Sequence, residues 1–197
     1  MRLFLVRHGQ TPANADYHLD TGFPGAPLTE HGWSQAMTLP ARFKGVPIDA
    51  IVTSHLDRTR QTALPLAQAW GGVPAADERI REILAGRLEM LGDEDSVAAY
   101  HRRVDAWSHG QLELRMPGAE SGQEVIDRYD AAIADVRQVV GADGTAVFFS
   151  HGAVIRTWSR YRAVNADFAV HGVVANTGVV ELTDDAGVWR IVSWMGR

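Results

Sequence analysis

Residues 3–12 read Leu3-Phe4-Leu5-Val6-Arg7-His8-Gly9-Gln10-Thr11-Pro12, an apolar run that breaks at once into a cation, an imidazole and a Gly/Pro turn. A short continuous apolar run closed by turn residues predicts a strand buried on both faces, as in a parallel sheet under helices. Ligands of open α/β sheets bind beyond the carboxyl ends of the strands. This strand therefore delivers Arg7 and His8 to the place where a ligand would sit. A guanidinium matches phosphate oxygens, an imidazole is partly neutral near pH 7, and Gly9 lets a ligand approach the backbone closely. A triplet this short also arises by chance, so the rest of the chain must supply its partners.

Working outward, the pattern repeats. After a Gly/Pro/Asp-rich loop over 14–27, Thr29 is placed to cap a helix running to about Phe43, with Trp33, Ala36, Met37 and Leu39 available for burial and Pro40 able to bend it. Ile48 to Thr53 is a second buried strand, opening into Ser54-His55-Leu56-Asp57-Arg58. Asp57 is placed to cap a helix that reaches Trp70 and ends at Gly71-Gly72. The segment 77–91 carries no clear period beyond Ile80 and Ile83-Leu84. Asp93 to Trp107 reads as a surface helix of mixed charge. Ser121-Gly122-Gln123-Glu124 has capping-box form and precedes the stripe Val125, Ile126, Tyr129, Ile133, Val136, Val140. Thr145 to Phe149 is a third buried strand, ending in Ser150-His151-Gly152 before a helix from about Ala153 to Tyr161. Thr177–Leu182 and Val188–Trp194 close the chain as two strands around the turn Asp184-Asp185-Ala186-Gly187. Strands alternating with helices predict an α/β three-layer sandwich, a mostly parallel central sheet with helices on both faces. The last two strands join it as an antiparallel addition. Three strand ends then bring Arg7-His8, Arg58 and His151 to one rim.

Composition narrows the chemistry. With 197 residues, 46% hydrophobic and 22% charged, the chain fits one domain over 1–197. It has no cysteine, which excludes disulfides, thiolate catalysis and cysteine zinc sites. The net charge of −5 argues against a nucleic-acid surface, and neither a membrane span nor the apolar core of a signal peptide is present. A cytoplasmic location is expected. His101 and His109 fall on a charged segment without metal-ligand spacing, so no metal and no cofactor is expected.

These residues together resemble the histidine phosphatase superfamily, in its phosphoglycerate mutase-like branch. Arg7-His8-Gly9-Gln10-Thr11 with Asn14 is similar to the opening signature. Leu28-Thr29, Gly32, Gln35 and Ala36 resemble the segment that follows it. Ser54, Leu56, Arg58, Gln61, Thr62 and Ala63 resemble the second-arginine motif. Glu82, Gly86 and Glu89 resemble the acid-bearing loop, Glu120-Ser121 and Arg128 a later helix start, and Ser150-His151-Gly152 the second histidine. Relatives often follow the second glutamate with glycine, where this chain has Met90. The span 85–118, expected to vary with substrate, is short beside that of the mutases.

The resemblance implies roles. His8 is the nucleophile that becomes phosphohistidine, and Arg7 and Arg58 clamp the phosphoryl oxygens. Asn14, His151 and the helix start at Gly152 donate to the same oxygens; Thr11 either joins them or caps a turn. Glu82 is the general acid that protonates the leaving alkoxide, with Glu89 as its competitor; a carboxyl beside a bound phosphate is expected to hold its proton. Arg60 is expected in a surface ion pair. The implied activity is that of a phosphoric monoester hydrolase of the histidine acid type. It would be metal-independent and act on a small phosphorylated metabolite. The alternatives are a bisphosphoglycerate-dependent phosphoglycerate mutase and a catalytically silent regulatory module on the same fold. A nucleotide-binding protein is disfavoured by the lack of a glycine-rich phosphate loop. Loops 12–27 and 85–118 would set specificity. Oligomeric state stays open, a homodimer included.

Overall fold

The computed structural model describes residues 1–194. In chain order it contains β1 (Arg2–Arg7), α1 (Pro12–Ala15), α2 (Glu30–Ala36), α3 (Leu39–Arg42), β2 (Ala50–Thr53), α4 (Asp57–Trp70), β3 (Ala75–Ala76), α5 (Glu94–Ser108), α6 (Gly122–Val140), β4 (Thr145–Ser150), α7 (Gly152–Arg162), β5 (Val179–Asp185) and β6 (Val188–Trp194). Short 3-10 turns at Glu78–Ile80 and Gly86–Leu88 lie between β3 and α5. The sheet runs β3-β2-β4-β1-β5-β6. Its first four strands are parallel, while β5 and β6 are antiparallel additions beside β1.

Strand side chains alternate between two cores, as the period of 2 requires. Leu3 and Leu5 of β1, with Ala146 and Phe148 of β4, pack with α5, α6 and α7. Phe4 and Val6, with Val147 and Phe149, face Leu39, Phe43, Ala63 and Leu66 of the helices α3 and α4 and the turn between α3 and β2. Both faces of the sheet are thus covered, which is why the strands read as unbroken apolar runs.

The caps behave as the sequence dictates. Thr29 Oγ1 accepts the N–H of Gly32. Asp93 accepts the N–H of Ser96. Ser121 and Glu124 form the reciprocal capping box of α6. Each such cap contributes about 1 kcal/mol.

Several expectations shift. The helix expected from Thr29 to Phe43 is two helices, because Pro40 cannot donate to the turn before it and serves at the start of α3. Met37, at that break, is 65% exposed. Asp57 is the first residue of α4 and Leu56 its cap, so the Asp57 side chain pairs with Arg60 on the surface. The expected loop at 14–27 is preceded by α1, and β3 is a strand too short to leave a period. α5 is half buried, since Tyr100, Val104 and Trp107 turn into the core. Thr177, expected in a strand, has φ +53° and sits just before β5.

Candidate active site

Register places the site. Arg7 of β1 pairs with Ser150 of β4, and the His8 N–H donates to the Ser150 carbonyl at 3.1 Å. His8 and His151, each one residue past its strand, therefore stand side by side with ring centroids 5.2 Å apart. On the other flank of β4 the Ser54 N–H donates to Phe149 O at 3.0 Å, which brings the start of α4 to the same rim. A cleft of about 350 Å³ opens there, lined by Arg7, His8, Asn14, Asp20, Arg58, Glu82, Tyr100, His101, Gly152, Arg156 and Asn176, among others.

His8 is buried and its tautomer is fixed by its neighbour. Nδ1 lies 2.7 Å from Gly9 O, and a carbonyl only accepts, so Nδ1 carries the proton and Nε2 keeps its lone pair. Burial, then the charges of Arg58 and Arg7, hold the imidazole well below its usual pKa, and the bond to Gly9 opposes them only weakly. Near neutrality His8 is an uncharged base aimed by its backbone. Its loop is tied down from several sides. The Gly9 N–H donates to Thr62 Oγ1 at 2.9 Å, and the Gln10 N–H to Gln35 Oε1 at 2.9 Å. Gly32 passes so close that a Cβ there would meet the Gln10 carbonyl at 2.2 Å.

Arg7 donates from Nη1 to Val174 O at 2.7 Å and has no hydrogen-bond partner at Nε. Arg58 donates from Nη2 to Asp20 O at 3.0 Å and from Nε to His151 Nδ1 at 3.3 Å; its Nη1 has no hydrogen-bond partner and lies 3.6 Å from Asp20 Oδ2. Burial lowers both guanidinium pKa values from their ordinary range, with Glu82 opposing for Arg7 and Asp20 for Arg58. Two buried cations with free N–H groups on one cleft form an anion site. Gly25 makes room for the second of them: a Cβ there would fall 2.1 Å from Arg58 Nη1.

The remaining site residues sort by geometry. Asn14 Oδ1 accepts from the Thr11 N–H and from Asn176 Nδ2, which leaves its own Nδ2 to donate into the cleft. Thr11 is a cap: its hydroxyl accepts the Asn14 N–H, and it is 1% exposed and outside the cleft lining. Gly152 lines the cleft at the start of α7, where a Cβ would crowd Arg7 Nε at 3.1 Å. His151 differs from expectation. Nδ1 accepts from Arg58 and Nε2 lies 2.8 Å from Ser54 Oγ, so both nitrogens are engaged, and the ring is buried and outside the cleft lining. Burial, followed by Arg58 and His8, keeps its pKa well below the usual value.

The two glutamates separate cleanly. Glu82 lines the cleft, its Oε1 accepting the N–H groups of Ile83 and Val154 at 2.9 Å and its Oε2 that of Ala153 at 3.1 Å. Arg128 supports the Glu82 backbone by donating to its carbonyl at 3.2 Å, and is itself paired with Glu120. Glu89 is outside the cleft lining. It accepts the Thr21 and Gly22 N–H groups at 2.7 and 2.9 Å and bonds the Thr21 hydroxyl, buttressing the loop that carries Asp20. Met90 after it takes φ +60°, the left-handed conformation that glycine adopts without strain.

Sequence reading passed over Asp20, Tyr100, His101, Arg156 and Asn176. The helical period of α5 (Val97, Tyr100, His101, Val104) is the signal that could have found Tyr100 and His101; Asn176 left no signal. Among the described residues no group of three His, Asp or Glu is arranged to hold a metal ion. No described helix is long and apolar enough to cross a membrane.

Comparison with known proteins follows the same lines. The model of the histidine phosphatase superfamily (branch 1) matches residues 3–196. A probable phosphoglycerate mutase GpmB from Klebsiella pneumoniae is 36% identical over 160 residues, covering 79% of this chain and 71% of that protein. The structure of a mycobacterial glucosyl-3-phosphoglycerate phosphatase complexed with VO3 superposes with a TM-score of 0.84 at 26% identity, covering 98% of each chain. A putative alpha-ribazole-5'-P phosphatase from Escherichia coli shares the fold at a TM-score of 0.77 and 24% identity, over 99% of this chain and 96% of that one.

Proposed function

The chain belongs to the histidine phosphatase superfamily, branch 1, and from that premise we propose that it is a phosphomonoester hydrolase working on a small phosphorylated metabolite without a metal. The observation that carries this is the neutral, Nε2-unprotonated His8 between two buried arginines that keep unused N–H groups.

The ester phosphate settles between Arg7 and Arg58, with Asn14 Nδ2 and the start of α7 donating to its oxygens. The His8 Nε2 lone pair forms the N–P bond as the ester P–O bond breaks, and Glu82 gives its proton to the departing oxygen, releasing the alcohol. Glu82, now a carboxylate, takes a proton from water as that oxygen attacks phosphorus. The N–P bond breaks, inorganic phosphate leaves, and His8 regains its lone pair. Transfer of this kind depends on positioning and on stabilising equatorial oxygen charge, and two fixed guanidinium groups supply both. His151 acts through Arg58, holding its Nε edge and so its orientation.

Hydrolysis is favoured over phosphoryl return to a second hydroxyl by the 85–118 segment, which is short beside that of the mutases. The test is phosphate release from a panel of phosphomonoesters by the native protein and by His8→Ala, each with and without EDTA. Release that requires His8 and ignores EDTA supports the proposal. Release only when a bisphosphoglycerate primes a mutase assay would replace it with the mutase reading.

A further inference from the structure

The hydrolytic steps use two arginines and one glutamate, yet a second carboxylate stands in the same cleft. Asp20 lines it, with its side chain only 10% exposed. Its backbone carbonyl accepts from Arg58 Nη2 at 3.0 Å, and its Oδ2 lies 3.6 Å from Arg58 Nη1, too far for a hydrogen bond. What holds Oδ2 back is the Ala26 N–H, which donates to it at 2.8 Å. The loop that carries both residues is fixed on either side. The Leu19 N–H donates to Leu91 O and the Met90 N–H to Leu19 O, both at 3.0 Å, and the Asp57 N–H donates to Pro24 O at 3.2 Å. Arg58 therefore feels a negative charge while its Nη1 stays without a hydrogen-bond partner. Burial lowers the Arg58 pKa, and Asp20 is the foremost of the charges that oppose the fall. A carboxylate set into an anion site repels the anion. Affinity alone would not place it there.

We propose that Asp20 sets how tightly the cleft holds phosphate: its carboxylate offsets part of the Arg58 charge, so that inorganic phosphate leaves readily after hydrolysis. This rests on the cleft being a phosphomonoester site. Product phosphate presents the same oxygens as the phosphoryl group of the substrate, so donors that bind one retain the other. Two buried arginines by themselves would hold the product. A fixed negative charge beside one of them weakens both ground-state complexes, and it leaves Arg58 Nη1 free for the oxygens of the transition state. Glu82, the other carboxylate lining the cleft, is engaged by the Ile83, Ala153 and Val154 N–H groups and by proton transfer. Asp20 is thus the standing counter-charge of the site.

Asp20→Asn makes the test, because the amide oxygen can take the place of Oδ2 and keep the Ala26 N–H. The substitution removes the charge and keeps the shape. Titration calorimetry on the native protein and the variant reads binding of inorganic phosphate directly. The variant should bind it about tenfold tighter, the scale of one unit charge a few ångströms away in a partly solvated cleft. The gain should shrink as salt is raised. In steady-state kinetics the KM for a phosphomonoester and the Ki for phosphate should both fall while kcat does not rise, the split expected when a ground-state repulsion is removed. A residue that only braces Arg58 predicts the reverse, weaker phosphate binding on substitution. Asp20→Ser, also neutral, serves if the asparagine variant does not fold. Equal or weaker phosphate binding by the variant, a gain that ignores salt, or no phosphate binding by either protein overturns the inference. His8-dependent hydrolysis of p-nitrophenyl phosphate by the native protein reports separately on the phosphatase reading, so activity without an Asp20 effect removes this inference alone.

Discussion

Replacing Glu82 by glutamine keeps the shape of the side chain and removes its capacity to pass a proton. Oε1 accepts two backbone N–H groups, from Ile83 and Val154, and Oε2 accepts one, from Ala153. The amide carbonyl can keep the first two, but its NH2 then faces the Ala153 N–H, and one donor is left unpaired. That costs about 1–3 kcal/mol of stability, small enough for the start of α7 to hold. The chemical loss depends on the leaving group. An alkoxide needs a proton as it departs, so kcat/KM for an alkyl phosphate should fall by about 10²–10⁴, the usual share of a general acid. p-Nitrophenolate leaves without protonation, and its ester should fall by less than about tenfold, on the same principle. Steady-state kinetics on both substrates, with a denaturation curve to confirm folding, makes the comparison. Equal falls for the two would refute the assignment and leave Glu82 as a brace for α7.

Glu89→Gln is the companion. It disturbs the Thr21–Gly22 loop and should slow alkyl and aryl phosphates by the same factor while lowering the melting temperature; a leaving-group effect here would make Glu89 the acid. Gly25→Ala puts a methyl against Arg58 Nη1 at a residue with φ +71° and should weaken competitive inhibition by inorganic phosphate about tenfold or more through the displaced guanidinium; unchanged inhibition would show that Arg58 is not at the phosphate. His8 and His151 both have folded pKa values well below that of an unfolded histidine, near 6.5. The unfolded chain therefore binds more protons below that pH. Their contribution to stability is complete above about 6.5 and is lost as pH falls toward the folded values, at up to about 1.4 kcal/mol per pH unit for each. Urea unfolding at pH 7.0 and 5.5 should show the loss, and His8→Asn should remove part of the slope; an unchanged slope would mean that His8 is not held neutral by the fold.

Much of the architecture was legible because burial on both faces writes itself as apolar runs. Residues 3–6, 48–53 and 145–149 read as strands, the second of which starts at Ala50 in the structure, and the cap residues Thr29, Asp93 and Ser121 marked helix starts within a residue. The misses lie where short-range signals compete. Pro40 reads as a bend in one helix or its early end, whereas in the structure its missing N–H divides the segment and it sits in the first turn of α3. α5 read as a surface helix because its charged residues outnumber the three that turn inward. Arg7, His8, Asn14, Arg58, Glu82 and Gly152, assigned to the site by strand ends and the family resemblance, line the cleft. Thr11 and His151, assigned with them, do not line it, since a hydroxyl that caps and an imidazole that supports an arginine carry the same letters as ones that touch a ligand.

The sequence by itself determined the alternation of strands and helices, the two-sided sheet and the histidines and arginines of the strand ends that meet at one rim, because periodicity, caps and strand ends are local properties of the chain; Glu82 was reached only through the family resemblance. Tertiary structure alone decided which nitrogen of His8 is free, that Glu82 and not Glu89 faces the cleft, and that the Asp20 carboxylate stands there short of Arg58. The His8 tautomer depends on how the folded backbone turns the neighbouring Gly9 carbonyl; the place of Glu82 depends on backbone N–H groups of Ala153 and Val154, and pairings across 70 or more residues leave no trace in local order.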